Sequence, residues 1–201
     1  MNRTLNLIAL VVFASSLFIR STDPIIPQIA LGLHVEPRTA ALLSTAFTLP
    51  YALVQQLLGA LADMFSKPRL MLMCLATLTV ATFISGIAPN FEVLIAGRVI
   101  AGLASGGVVP IAFALVGDRV PVHERQVAMG RLLLAIMTGN VLGATCAGFV
   151  GDLVGWRGVF FSTGAVGFIA MLAALPGFRG FKEVGGRFDL SALGPSYRTI
   201  F

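Results

Sequence analysis

Apolar residues in this chain come in long runs, without the strict alternation of a half-buried strand or the one-sided spacing of a surface helix. A helix needs about 20 apolar residues to cross the hydrocarbon core of a bilayer. Six segments meet that length: 5–31, 40–62, 70–88, 93–117, 127–150 and 158–176. The pattern predicts an all-α integral membrane protein in which short connections make successive helices antiparallel neighbours. Arg20, Asp23, Pro24 and Pro27 interrupt the first run, so its outer end is expected to bend or unwind. Pro50 and Pro110 fall inside the second and fourth runs. Each removes a backbone hydrogen bond, which a membrane helix tolerates when its neighbours supply partners. From residue 177 to 201 the chain turns polar and glycine-rich, with Gly177, Gly180, Gly185, Gly186 and Gly194. The expected organisation is a six-helix bundle over 1–176 followed by a cytoplasmic linker over 177–201.

Composition agrees with a polytopic membrane protein. The chain is 57% hydrophobic and 11% charged, with a mean hydropathy of +0.91, whereas soluble domains run near 25% charged. The net charge of +5 does not point to nucleic acid, because the bases sit in connections and not on a patch or stripe. Cys74 and Cys146 both lie inside apolar runs, which is neither a disulfide framework nor a metal spacing. His34 and His123 stand alone in loops, and no catalytic set or phosphate-binding loop is present, so an enzyme is not expected. Arg3 followed by Leu5 to Ile19, with Ala14, Ser15 and Ser16, also fits a signal peptide. Five further apolar runs favour an uncleaved first span.

Basic residues set the orientation. With a cytoplasmic N-terminus, Arg3, Lys67, Arg69, Arg119, Arg125, Arg131, Arg179, Lys182, Arg187 and Arg198 fall inside, and Arg20, Arg38 and Arg157 outside. Six spans then return the C-terminus to the cytoplasm.

An internal repeat runs through the chain. Gly59 and Asp63 recur as Gly148 and Asp152 at an offset of 89 residues, and Arg69 recurs as Arg157 at 88. Pro50 and Gly139, both helix-loosening, are also 89 apart. Each unit holds three helices, an odd number, so the second must be inverted in the membrane, a common construction of secondary transporters.

Four groups of residues are candidates for function. Arg98 lies well inside the fourth span. Arginine at a helix centre costs about 2.5–3.5 kcal/mol on insertion scales, and it stays protonated. It therefore reads as a fixed charge in a water-filled cavity, holding an anionic substrate group or tuning an acid; the plainer reading is snorkelling toward the outer interface. Asp23 is the candidate acid, since burial and a neighbouring guanidinium push a carboxyl's proton affinity in opposite directions. Its plainer reading is an interfacial pair with Arg20. Small residues make the third group: Gly102 and Gly106 in span four, and Gly139, Gly143, Ala147 and Gly151 at every fourth position of span five. Such stripes let helix backbones approach closely, for simple packing or for a sliding interface. The fourth group is the connection Gly59 to Arg69, where Asp63 could pair with Lys67 or Arg69 as a breakable latch that Asp118 would extend; the plainer reading is topology alone.

These residues resemble the major facilitator superfamily, specifically its N-terminal six-helix half, over nearly the whole chain. Gly59, Leu61, Asp63 and Lys67 match the family's loop signature between helices two and three, with Met64 and Ser66 where that signature carries Arg and Gly. Asp118 falls where the family places a partner acid for this loop. Leu94, Arg98, Gly102 and Gly106 resemble the helix-four signature, linked in the family to proton coupling. Asp23 with Pro24 and Pro27 resembles helix one of drug-efflux members. Gly139, Gly143 and Gly148 resemble the helix-five antiporter signature, with Ala144 and Ala147 replacing its Pro and a further Gly. The resemblance implies a proton-coupled antiporter of the drug- or sugar-efflux type in a bacterial inner membrane. It would move a small organic solute by alternating access, without a prosthetic cofactor. Because that architecture has twelve helices, the chain reads as a truncated first half whose partner is a missing C-terminal half. The alternatives are a half-size protein acting as a dimer and a non-transporting assembly module.

Overall fold

The computed structural model describes residues 2–61 and 66–178, and within them all regular structure is helical. The first span is α1 (Asn2–Arg20), a 3-10 turn (Asp23–Ile25) and α2 (Ile26–Gly32). Pro24 disfavours helical backbone at the residue before it. The chain answers by tightening into a turn in which the Ile25 N–H donates to the Thr22 carbonyl at 3.2 Å. A short α3 (Pro37–Ala40) leads into α4 (Leu42–Leu61), which carries Pro50 internally. α5 (Lys67–Gly86) has Pro68 in its first turn, where the missing N–H costs nothing. α6 (Phe91–Arg119) is capped by Asn90, whose side chain accepts from the Val93 N–H at 3.0 Å.

The fifth and sixth expected spans form one continuous helical stretch, α7 (Val122–Phe178), broken at Gly155. The sequence suggests a polar connection between residues 150 and 158, but a single glycine makes the corner. Its φ of 77° with ψ of 171° is open to glycine and strained for any L side chain. Fifty-seven residues in one straight helix would run about 86 Å, far beyond a bilayer core of about 30 Å. The packing shows the reversal. Along the first limb (122–154), Gly139 abuts Phe13 and Ser16, Gly143 abuts Leu17 and Gly151 abuts Ile25, so it runs parallel to α1. Along the second limb (156–178), Gly167 meets Phe18 and Gly177 meets Leu7, so it runs back antiparallel. Thr4–Gly32, Lys67–Gly86, Phe91–Arg119 and Val122–Phe178 are all long and apolar enough to cross a membrane. The fold-back of α7 supplies two crossings and the 20-residue α4 completes six.

The repeat is visible in the contacts. Gly143 touches Leu17, and Gly106 touches Val54. Shifting Leu17 forward and Gly143 back by 89 residues converts the first pair into the second. The crossing of α1 with the first limb of α7 is therefore the inverted counterpart of the crossing of α4 with α6. Burial follows membrane logic. Leu53, Met73, Val80, Phe149 and Leu172 lie on the exterior, where lipid is as good a solvent as protein. Small residues fill the crossings, where close packing is the main attraction.

Candidate functional site: a buried arginine and the ties at the two ends

Arg98 is 2% exposed. Leu94, Ala101 and Gly102, about one turn away on α6, are buried too, and its guanidinium carbon sits 4.2 Å from the centroid of the Phe47 ring on α4. Phe47 comes that close because its backbone lies directly over Gly102, where a methyl group would overlap the Phe47 carbonyl. The glycine of the helix-four pattern thus seats the aromatic platform of the arginine, a cation–π arrangement. Nε and Nη2 of Arg98 are buried and have no hydrogen-bond partner among the described residues. An unmet charged donor in such a place is costly, and an acceptor brought to it would lower that cost.

Asp23 lies near enough for its charge to act on Arg98, but its hydrogen bonds go elsewhere. One carboxylate oxygen faces Arg20 Nη1 at 3.3 Å and the other accepts from Ser44 Oγ on α4 at 2.6 Å. The Arg20 pair that the sequence offered as the plainer reading is formed, at the partly exposed break between α1 and α2. Ser44 had no signal in the sequence beyond being a hydroxyl at the start of an apolar run. Deeper in, Ser15 on α1 and Ser105 on α6 are hydrogen-bonded at 3.0 Å, both buried. These two serines could have been flagged as polar groups facing each other inside spans, but only the register of α1 on α6 pairs them.

At the other end of the bundle, Lys67 Nζ donates to Asp118 Oδ2 at 2.7 Å. Asp118 is half exposed and Lys67 largely covered, and both Lys67 and Arg69 engage further groups. Asp63, the acid of the expected latch, lies outside the described residues, as does the proposed linker beyond Phe178; Gly59 lies in the last turns of α4. Among the packing glycines, Gly102, Gly106, Gly139 and Gly143 each sit against partner backbone. A methyl at Gly148 would meet only Pro24, at an ordinary 3.8 Å.

The repeat's second corner carries different contacts. Gln28 Nε2 donates to Asp152 at 3.1 Å, and Arg157 donates to the Ala88 carbonyl at 3.0 Å while stacking 4.1 Å over Trp156. Trp156 is buried in a cluster with Ile25, Ile29, Leu43 and Phe160, and a methyl on Gly32 would collide with its ring.

Six crossings, two inverted three-helix units and a buried intramembrane charge define one half of a secondary-transporter fold. The chain matches the family model for the Major Facilitator Superfamily over residues 8–184, and it belongs to that superfamily. It is 29% identical over 175 residues to the quinolone resistance protein NorA of Staphylococcus aureus, covering 87% of this chain and 45% of that one. An uncharacterized MFS-type transporter of Mycobacterium tuberculosis, Rv1250, is also 29% identical over 175 residues, with 87% and 30% covered. Among solved structures, a bacterial homolog of the human lysosomal transporter Spinster, inward-facing and unoccupied, superposes with a TM-score of 0.73 at 22% identity. That superposition covers 94% of this chain and 46% of the other. The chain thus spans less than half the length of these relatives.

Proposed function

We propose that this chain forms the first six-helix bundle of a proton-coupled efflux transporter for a small organic solute, working by alternating access. Arg98 is the fixed positive charge that meets an anionic group of the solute, and Asp23 is the acid that exchanges the proton. The observation that carries this reading is the pair of unmet, buried N–H groups of Arg98 beside Phe47 and within the field of Asp23. Intramembrane charge of this kind is functional by default. Similarity to a protein named for quinolone resistance supports efflux and suggests quinolones as test solutes. The excess of Lys and Arg on one set of connections supports cytoplasmic termini, and the bacterial relatives support the inner membrane. The remaining bundle comes from a C-terminal half or from a second copy.

The test is quinolone uptake into everted vesicles driven by an imposed pH gradient, with the chain expressed alone and with a six-helix C-terminal half. Arg98→Gln should cut flux at least about tenfold, a loss of about 1.4 kcal/mol or more. Asp23→Asn should leave solute exchange running while uncoupling it from the gradient. Normal coupling in both variants would reject the assigned roles. Flux that requires the second half, together with crosslinking to it, supports a half-transporter. Crosslinking without flux in either format favours the assembly-module reading.

A further inference from the structure

Hydroxyls inside apolar helices usually return their proton to their own backbone. Thr79, Thr82, Ser85 and Thr163 do so here, each donating to the carbonyl four residues back at 2.7–2.8 Å. In the first span Ser21 does the same toward the Phe18 carbonyl at 3.3 Å, but Ser15, Ser16 and Thr22 do not. Ser15 bonds across to Ser105, while Ser16 Oγ and Thr22 Oγ1 are buried without a partner among the described residues. Asn140 on the first limb of α7 adds another such atom, its Oδ1, and Gln28 Oε1 on α2 is one more, beside the Asp152 contact. Ser16 packs directly against Gly139, the neighbour of Asn140.

Apart from Gln28, these orphaned atoms form two groups at different depths. α1 and α6 are antiparallel and in register where Ser15 meets Ser105. Arg98 lies seven residues along α6 from Ser105, about 10 Å along the axis, and Thr22, just past the end of α1 and next to Asp23, lies toward that same end. Ser16 and Asn140 stay at the Ser15 level, because the first limb of α7 runs parallel to α1 with Gly139 against Phe13 and Ser16. One group therefore offers the Arg98 Nε–H and Nη2–H with the Thr22 hydroxyl. The other offers the Asn140 carbonyl oxygen with the Ser16 hydroxyl.

The two groups have opposite chemical preference. Adjacent guanidinium N–H groups match an oxyanion, a carboxylate above all, in bidentate fashion. Asp23 does not fill that role, since its oxygens are engaged by Arg20 and Ser44. An amide oxygen only accepts, so Asn140 calls for an N–H or O–H.

We infer that the transported solute is elongated and bipolar. It carries an oxyanion for Arg98 and, at least about 10 Å away along the helix axis, a hydrogen-bond donor for Asn140 and Ser16. Any sideways offset across α1 lengthens this spacing. The inference rests on the Arg98 reading above and adds a second recognition point to it.

The test is equilibrium binding to the full chain reconstituted in phosphatidylcholine nanodiscs, using three probes. ω-Aminooctanoate has both groups at a span near the axial spacing, γ-aminobutyrate has both but is too short, and octanoate lacks the donor. On the unaltered chain, ω-aminooctanoate should bind at least about tenfold tighter than either comparator. Asn140→Ala should bring it down to the level of octanoate while leaving octanoate binding unchanged, which also reports an intact fold. Asn140→Asp keeps an acceptor and should retain the preference. Arg98→Gln should remove binding of both long probes above lipid partition. Equal binding of ω-aminooctanoate and octanoate, still dependent on Arg98, overturns the second recognition point and leaves the Arg98 role standing. Binding of both long probes that ignores Arg98→Gln overturns the underlying reading as well.

Discussion

The two ends of the bundle are closed by corresponding positions with unlike chemistry. At one end Lys67 pairs with Asp118. Shifted by 89 residues in opposite directions, those positions become Trp156 and Ile29 at the other end, both inside one apolar cluster. The ionic tie has a half-exposed member and exchanges with water, so it is worth about 0–1 kcal/mol and weakens with salt. The Trp156 corner removes a large aromatic surface from solvent, and salt has little purchase on it. A repeated fold can thus keep its geometry while making one end firm and the other easily released.

Six substitutions test that contrast, measured as unfolding free energies of the purified chain in mixed detergent. Trp156→Ala should have the largest effect, about 3–5 kcal/mol; a loss no greater than that of the ionic end would erase the difference. Gly102→Val and Gly143→Val force side chains into partner backbone midway between the ends and should cost about 1–3 kcal/mol each by overpacking. Gly148→Val, with room around it, should cost clearly less. Equal costs at all three would mean that the close approach does not matter. Gln28→Ala removes the exposed hydrogen bond to the Asp152 carboxylate and should cost about 0.5–1.5 kcal/mol. Asp118→Asn should have the smallest effect, about 0–1 kcal/mol. It should shrink in 1 M salt, because the half-exposed Asp118 carboxylate is open to counterions; a larger, salt-insensitive loss would show that this end is anchored too.

Much of the fold was legible because membrane thickness converts directly into sequence length. The six runs, the interruption at Asp23-Pro24 and the glycine stripes all follow from rules that depend on one helix at a time. The Gly155 corner was not legible, since the polar residues Asp152 and Arg157 around it read as a loop and nothing local distinguishes a one-glycine reversal. In the site, Arg98 stood out as a charge in hydrocarbon. Phe47, Ser44 and Asn140 did not, because their relation to it depends on how α4 and α7 are rotated against their neighbours. Asp118 suggested itself as an extension of the loop's charges by its place at the end of span four, and again by the family resemblance, while its pairing with Lys67 depends on how α5 and α6 meet. Trp156 carries no local signal, because a lone aromatic near an interface is common; its match to Lys67 in the repeat is the available clue.

Gly155 has a consequence for biogenesis. With no loop between them, the two limbs of α7 have no separate moment of entry, so they should cross into the bilayer together as a helical hairpin. Asp152 and Arg157 then ride at its leading tip. Each charge costs about 2.5–3.5 kcal/mol at the bilayer centre, and one insertion step must carry both, driven by the apolar limbs behind them. A residue other than glycine at position 155 would therefore burden the assembly of the protein before it burdened the finished structure.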